Sequence, residues 1–145
     1  MTRTEYDVFH RSPRKRIVAD IQFAPRPQHP SVLCAGPLAI ENPLNLDAAL
    51  EIHYNPDVGS KVFTIISRSA GGPICRLCVD GTAHHPHGRS HKHRLGSPEC
   101  PRQNLRTYVE DRPDLSGKSI EELFGIFCQL ASITHEGGFA PPEDP

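Results

Sequence analysis

The sequence predicts an α+β domain: a meandering antiparallel sheet of about five strands with one main C-terminal helix packed on a face. Three observations lead there. Apolar residues alternate at period two in several short segments, which is the signature of half-buried strands. Clusters of Gly, Pro, Asn and Asp separate those segments at hairpin spacing. Near the C-terminus the period changes to that of a helix, behind a recognisable cap.

The elements follow in chain order. Ile17, Ala19, Ile21 and Phe23 share one face of a strand over 17–23, and Pro25, Pro27 and Pro30 end it, because proline offers no ladder N–H. Residues 31–40 hold a short second strand. Leu50, Ile52 and Tyr54 line one face of a third, and 61–67, apolar on both sides, reads as a central strand. Asn55, Pro56 and Gly59 make the hairpin loop between them. A second loop, 69–73, leads into a strand over 74–79 that stops at the turn pair Asp80-Gly81. Residues 89–95 form a further short strand and 105–109 an edge strand. Ser119 and Glu122 then make a capping box. Ile120, Leu123, Phe124, Phe127, Leu130 and Ala131 follow as one buried stripe of a helix over 119–134, with Gly137-Gly138 as its C-terminal cap. Residues 1–138 are expected to be a single domain and 139–145 a frayed tail.

At 145 residues the chain has the usual size of one domain, and 15 prolines with 11 glycines imply long loops around one modest core. Sixteen basic residues balance seventeen acidic ones, so nothing global calls for nucleic acid or an anionic membrane. Arg11, Arg14, Lys15 and Arg16 form a local basic run, either part of a phosphate-binding surface or a polar leader. No segment has the length of apolar chain that a transmembrane helix needs, and no apolar run follows the N-terminus as in a signal peptide. The expected location is cytoplasmic, where the five cysteines are thiols or metal ligands before they are disulfides.

Chemistry concentrates in 84–93, where five of the nine histidines fall: His84, His85, His87, His91 and His93. Histidine both exchanges protons near neutrality and is the commonest metal ligand. On a strand, His91 and His93 face the same way with Lys92 on the other side, and His84 or His85 sits just past the preceding strand. Two mechanisms fit. In the first, one imidazole takes a proton from a 2′-hydroxyl, another protonates the leaving oxygen, Arg76 holds the phosphate, and Arg89, Lys92 and Arg94 bind the rest of an RNA without metal. In the second, zinc is held by His84, His85, His91 and His93, or by two of the histidines together with Cys75 and Cys78, whose Cys-x-x-Cys spacing is that of a zinc ligand pair. The cysteine pair meets an objection: on a strand, an odd separation sends the two thiols to opposite faces unless the chain turns as a knuckle, and Ile74, Leu77 and Val79 favour strand. A solvated histidine-rich loop is the plain alternative to both.

The order Arg76-Leu77-x-x-Asp80-Gly81, then a histidine, then His91-x-His93, then a polar linker and a terminal amphipathic helix resembles small uncharacterised bacterial proteins found in prophages or beside antitoxin genes. The resemblance covers roughly 60–133 and rests on short motifs. It implies a sheet-plus-helix fold, with His85, His91 and His93 as the functional set, and it supplies no reaction. The cysteines, His84 and His87 depart from that pattern. The expected function is a small toxin-like ribonuclease with RNA as substrate and a cognate antitoxin as partner. The alternatives are a zinc-binding interaction module and a non-enzymatic adaptor.

Overall fold

The computed structural model describes residues 1–83, 87–94, 105 and 109–142, with the side chain of Arg94 excepted. Residues 84–86, 95–104 and 106–108 lie outside the described residues, and with them His84, His85, Cys100, the end of the strand expected over 89–95 and most of the one expected over 105–109. Among the described residues no helix is long and apolar enough to cross a membrane.

The chain opens with helix α1 (Arg3–Arg11), followed by β1 (Lys15–Ile17), β2 (Ala24–Arg26), β3 (His29–Ala39), β4 (Ala48–Asn55), β5 (Ser60–Ser67), β6 (Gly72–Val79), β7 (His91–Arg94) and β8 (Val109–Asp111). Helix α2 (Ile120–Leu130) and β9 (Ile133–His135) complete it. Strands β2 to β8 form one antiparallel seven-stranded sheet in sequence order, and β1 pairs β9 in a small parallel sheet. The class is the α+β one expected, with seven strands in the meander where about five were read. Strand β5 is the central one, in keeping with its apolar character on both sides.

Why each element forms is visible locally. In α1, Thr2 accepts the N–H of Glu5 and the Glu5 carboxylate accepts the N–H of Thr2, a complete capping box. Tyr6 and Phe9, three residues apart, are buried from this helix. Its end is unusual. Lys15 lies 1% exposed, and its ammonium donates to the carbonyl oxygens of Phe9 (2.7 Å), His10 (2.7 Å) and Ser12 (3.0 Å). All three N–H donors are used on carbonyls at the helix end, of which Phe9 also accepts the Ser12 N–H. The basic run read as leader or phosphate surface therefore contains a buried structural cation. Its neighbour Arg16 pairs Glu41 at 2.6 Å on the surface.

Several sequence boundaries move. The strand read over 17–23 pairs only at two points: Ile17 closes β1, and Ile21 makes an isolated parallel bridge to Phe139. Pro25 does not end a strand but sits in β2, an edge strand, and Pro30 lies near the start of β3, both places where a missing ladder N–H is tolerated. Helix α2 stops at Leu130, short of residue 134, because Ser132 turns left-handed (φ 55°) and the chain enters β9. Ser119 caps Glu122 N–H as expected. Gly137 is no helix cap. A Cβ there would lie 2.5 Å from the Ala19 carbonyl oxygen, so glycine permits close approach of the two chain segments. Beyond it Phe139 packs against Phe23 and Phe124, and Ala140 donates its N–H to Ile21. The start of the segment expected to fray is thus docked.

Helix α2 covers one face of the sheet. Leu123 and Phe127 are buried, and the Phe127 ring stacks on Phe63 of β5 at 5.3 Å. Leu50, Ile52, Phe63, Ile65 and Leu77 belong to the same buried cluster. The intervening residues of the same strands form the opposite face, and the site lies there.

Candidate metal centre

Strand register assembles the site. In β6, Arg76 and Cys78 alternate with the buried Leu77 and Val79. The β6–β7 ladder sets Cys78 opposite His91 and Arg76 opposite His93. Directly opposed residues share a face, so the two histidines, the cysteine and the arginine project on the same side. A ring nitrogen of His91, one of His93 and the Cys78 sulfur all lie within 4.8 Å of one another. The two imidazoles meet edge to face, with ring centres 4.6 Å apart at 80°.

Each imidazole is oriented by a backbone carbonyl. His91 Nδ1 lies 2.8 Å from the Gly88 oxygen, and His93 Nδ1 lies 2.8 Å from the Leu105 oxygen. A carbonyl only accepts, so each Nδ1 carries the proton and Nε2 is the basic nitrogen. That support is the kind found behind metal-ligating histidines. A further layer holds Gly88 itself: its N–H donates to Asp111 Oδ1 at 3.1 Å, and His87 Nδ1 lies 3.4 Å from the same oxygen. Asp111 pairs with His91 in the β7–β8 ladder.

The surroundings set the electrostatics. Burial pushes the Cys78 thiol up to about 11, against the pull of the nearby Arg76 guanidinium. Arg76 Nε donates to Thr64 Oγ1 at 3.4 Å. Asp80, just past β6, is opposed by burial, yet hydrogen bonds from Ser116, Gly117 N–H and Lys61 hold it below the ordinary carboxylate value. Lys61 Nζ sits 3.3 Å from it. A cleft of about 490 Å³ opens beside Cys78 and His91 and continues along Asp80, Thr82 and Arg89.

Several of the expected site residues take other places. Cys75 pairs with Ile65 and is fully buried in the core, on the side away from Cys78. The two cysteines cannot share an ion, because β6 is a regular strand across both and their separation is odd. Lys92, expected to bind substrate, pairs with Leu77 and is 6% exposed on the core side. Arg94 takes the register position opposite Cys75. His84 and His85 lie outside the described residues. His91, His93, Arg76 and Cys78 are brought together, and Arg89 lines the adjoining cleft. The sequence reading offered Cys78 as a ligand only alongside Cys75 and two histidines, and parity already spoke against the cysteine pair. The usable partner was across the ladder, and only the register names it. Cys128 is buried in α2, and His53 is a half-buried side chain on β4, its imidazole kept below its ordinary value mainly by burial.

Scanned against protein-family models, curated proteins and solved structures, the chain matches none.

Proposed function

We propose that the protein is a zinc-binding protein whose Cys78, His91 and His93 hold one divalent ion. The observation that carries this reading is the convergence of a thiol and two imidazoles within 4.8 Å on adjacent strands. Tetrahedral zinc with bonds of ~2.0–2.3 Å needs its ligands roughly 3.3–3.8 Å apart, within reach of small side-chain rotations. The two carbonyl-oriented imidazoles support it further. Three protein ligands are the set that leaves a position for water or substrate, which suits Lewis-acid hydrolysis; a fourth ligand from His84 or His85 makes a closed structural site instead.

The ribonuclease reading uses the same face, with Arg76 beside His93 for a phosphate. Metal-free cleavage asks an acid and a base to flank a phosphodiester, each ~2.6–3.2 Å from the atom it serves. Imidazoles 4.6 Å apart touch each other and leave no phosphate-sized gap. The metal reading is favoured for that reason.

Zinc analysis of the purified protein should give one ion per chain. Cys78→Ala and His93→Ala should each lose it, whereas Cys75→Ala should keep it. Chelation should lower the melting temperature, since metal binding is folding free energy. A Cys78→Ala protein with full zinc content removes this reading. A metal-free protein that cleaves RNA with a bell-shaped pH profile and is indifferent to chelator restores the acid–base one.

A further inference from the structure

We infer that the cleft beside Cys78 and His91 is an oxyanion subsite, with Arg89 as the group that holds a phosphoryl or carboxylate function of a small substrate. The inference rests on the metal reading of the Cys78, His91 and His93 cluster and adds to it the class of molecule the centre would receive.

Position comes first. The cleft is lined by Cys78 and His91, two of the three proposed ligands, and by Arg89 and Thr82. A ligand lying in it reaches the ion's neighbourhood and the guanidinium together. Its volume, about 490 Å³, falls within the range of small-molecule sites. Val58 and Val62 supply apolar wall on the β4–β5 side.

Charge comes next. The Arg89 guanidinium is pinned by the chain itself. Nε donates to the Gly81 oxygen at 3.0 Å, and Nη2 donates to the Asp80 oxygen at 3.1 Å. Two of five N–H donors are thereby spent on fixing the fork, so the ordering cost is met before any ligand arrives. Among the described residues no carboxylate forms an ion pair with Arg89. The one acid in the lining, Asp80, is answered by Lys61 at 3.3 Å and by hydrogen bonds from Ser116 and Gly117. With Asp80 paired by Lys61 from outside the lining, Arg89 is the cleft charge left without a counter-charge, before any contribution from an ion and its thiolate ligand. An oriented guanidinium suits bidentate capture of a planar or tetrahedral oxyanion.

Cobalt(II) in place of zinc makes the test spectroscopic. The cobalt-loaded protein is titrated separately with inorganic phosphate and with acetate while its visible bands are followed. Either anion should perturb the bands saturably. Tighter phosphate indicates phosphoryl substrates, and tighter acetate indicates carboxylates. Arg89→Gln should bind cobalt with unchanged stoichiometry yet need about tenfold more anion for half-saturation, the loss expected for a hydrogen bond to a charged group. Full cobalt binding with no response to either anion overturns the subsite and leaves the metal reading standing. So does an Arg89→Gln protein that titrates like wild type. Failure of cobalt to bind at all removes both.

Discussion

Cys75 and Cys78 sit three residues apart on one strand, and their surroundings have almost nothing in common. Cys75 is fully buried beside Ile65 and Leu77, in the layer that α2 covers with Leu123 and Phe127. Cys78 lies on the other face with Arg76, His91 and His93, half-buried and within ligand distance of two imidazoles. The same alternation runs through neighbouring strands. Phe63 faces the helix and Thr64 takes the hydrogen bond of Arg76; Lys92 is enclosed while His91 and His93 project on the site side. A sheet strand thus carries two independent messages at period two: one face sets stability and the other can be given over to chemistry. Substitutions on the two faces should separate these roles.

The largest stability effect should come from the helix-covered face. Phe127→Ala removes a ring stacked on Phe63 and leaves a cavity between sheet and helix, for ~3–5 kcal/mol in chemical denaturation. Metal content of the folded fraction should be unchanged. A loss of less than about 1 kcal/mol would falsify the packing role of that face.

Lys15 sharpens the comparison, because it is, with Lys92, a charge enclosed on the apolar side. Lys15→Met removes the ammonium from three carbonyls at the end of α1, of which Phe9 keeps the Ser12 N–H, and should cost ~2–3 kcal/mol. Burial lowers its ammonium from 10.5 to about 8, with the nearby Cys75 acting in the other direction. The sign follows from linkage. Between about pH 8 and 10.5 the unfolded chain holds this proton and the native chain has released it, so this group's contribution to stability rises with pH there and is level below pH 8. The stability difference between wild type and Lys15→Met should therefore widen with pH, and only within that window. A constant difference from pH 7 to 10.5 shows that the amine does not titrate there.

The smallest effect on stability should come from the site face. Without metal, Cys78→Ala should cost no more than ~1 kcal/mol, because the sulfur is not part of the covered core. His91→Ala should cost somewhat more, ~1–2 kcal/mol, since the ring is 1% exposed and bonded to the Gly88 carbonyl. That burial sets His91 apart from a solvated histidine-rich loop. With zinc added, wild type should gain melting temperature and Cys78→Ala should not. His10 and His29, far from the cluster in sequence, serve as controls whose replacement should leave zinc content intact.

Parts of this arrangement were legible from the residues alone. Period-two alternation located β4, β5 and β6 to within two residues, since a half-buried sheet writes its burial directly into the chain. Ser119 and the stripe through Phe124 and Phe127 located α2, because capping and helical amphipathicity are both local. Helix α1 was missed although its Thr2-x-x-Glu5 box is equally local; the charged segment that follows Phe9 masked a stripe of only two buried residues. The separation of Cys75 from Cys78, and of Lys92 from its flanking histidines, also followed from parity within one strand.

What the sequence by itself determined is therefore the central strands, helix α2 and the side of each of those strands on which a residue falls, because these depend on neighbours within a few positions. Which residues meet across the sheet was decided only by tertiary structure. That Cys78, rather than its near neighbour Cys75, joins His91 and His93 depends on the β6–β7 register, and that register belongs to the whole packed sheet. The pinning of Arg89 on the carbonyls of Asp80 and Gly81, and the burial of Lys15 beneath the end of α1, have the same origin. A shift of one residue in the ladder would send His91 and His93 to the helix side, at the cost of exposing what the core now buries, so burial of the apolar face selects the register and the site inherits its geometry from that selection.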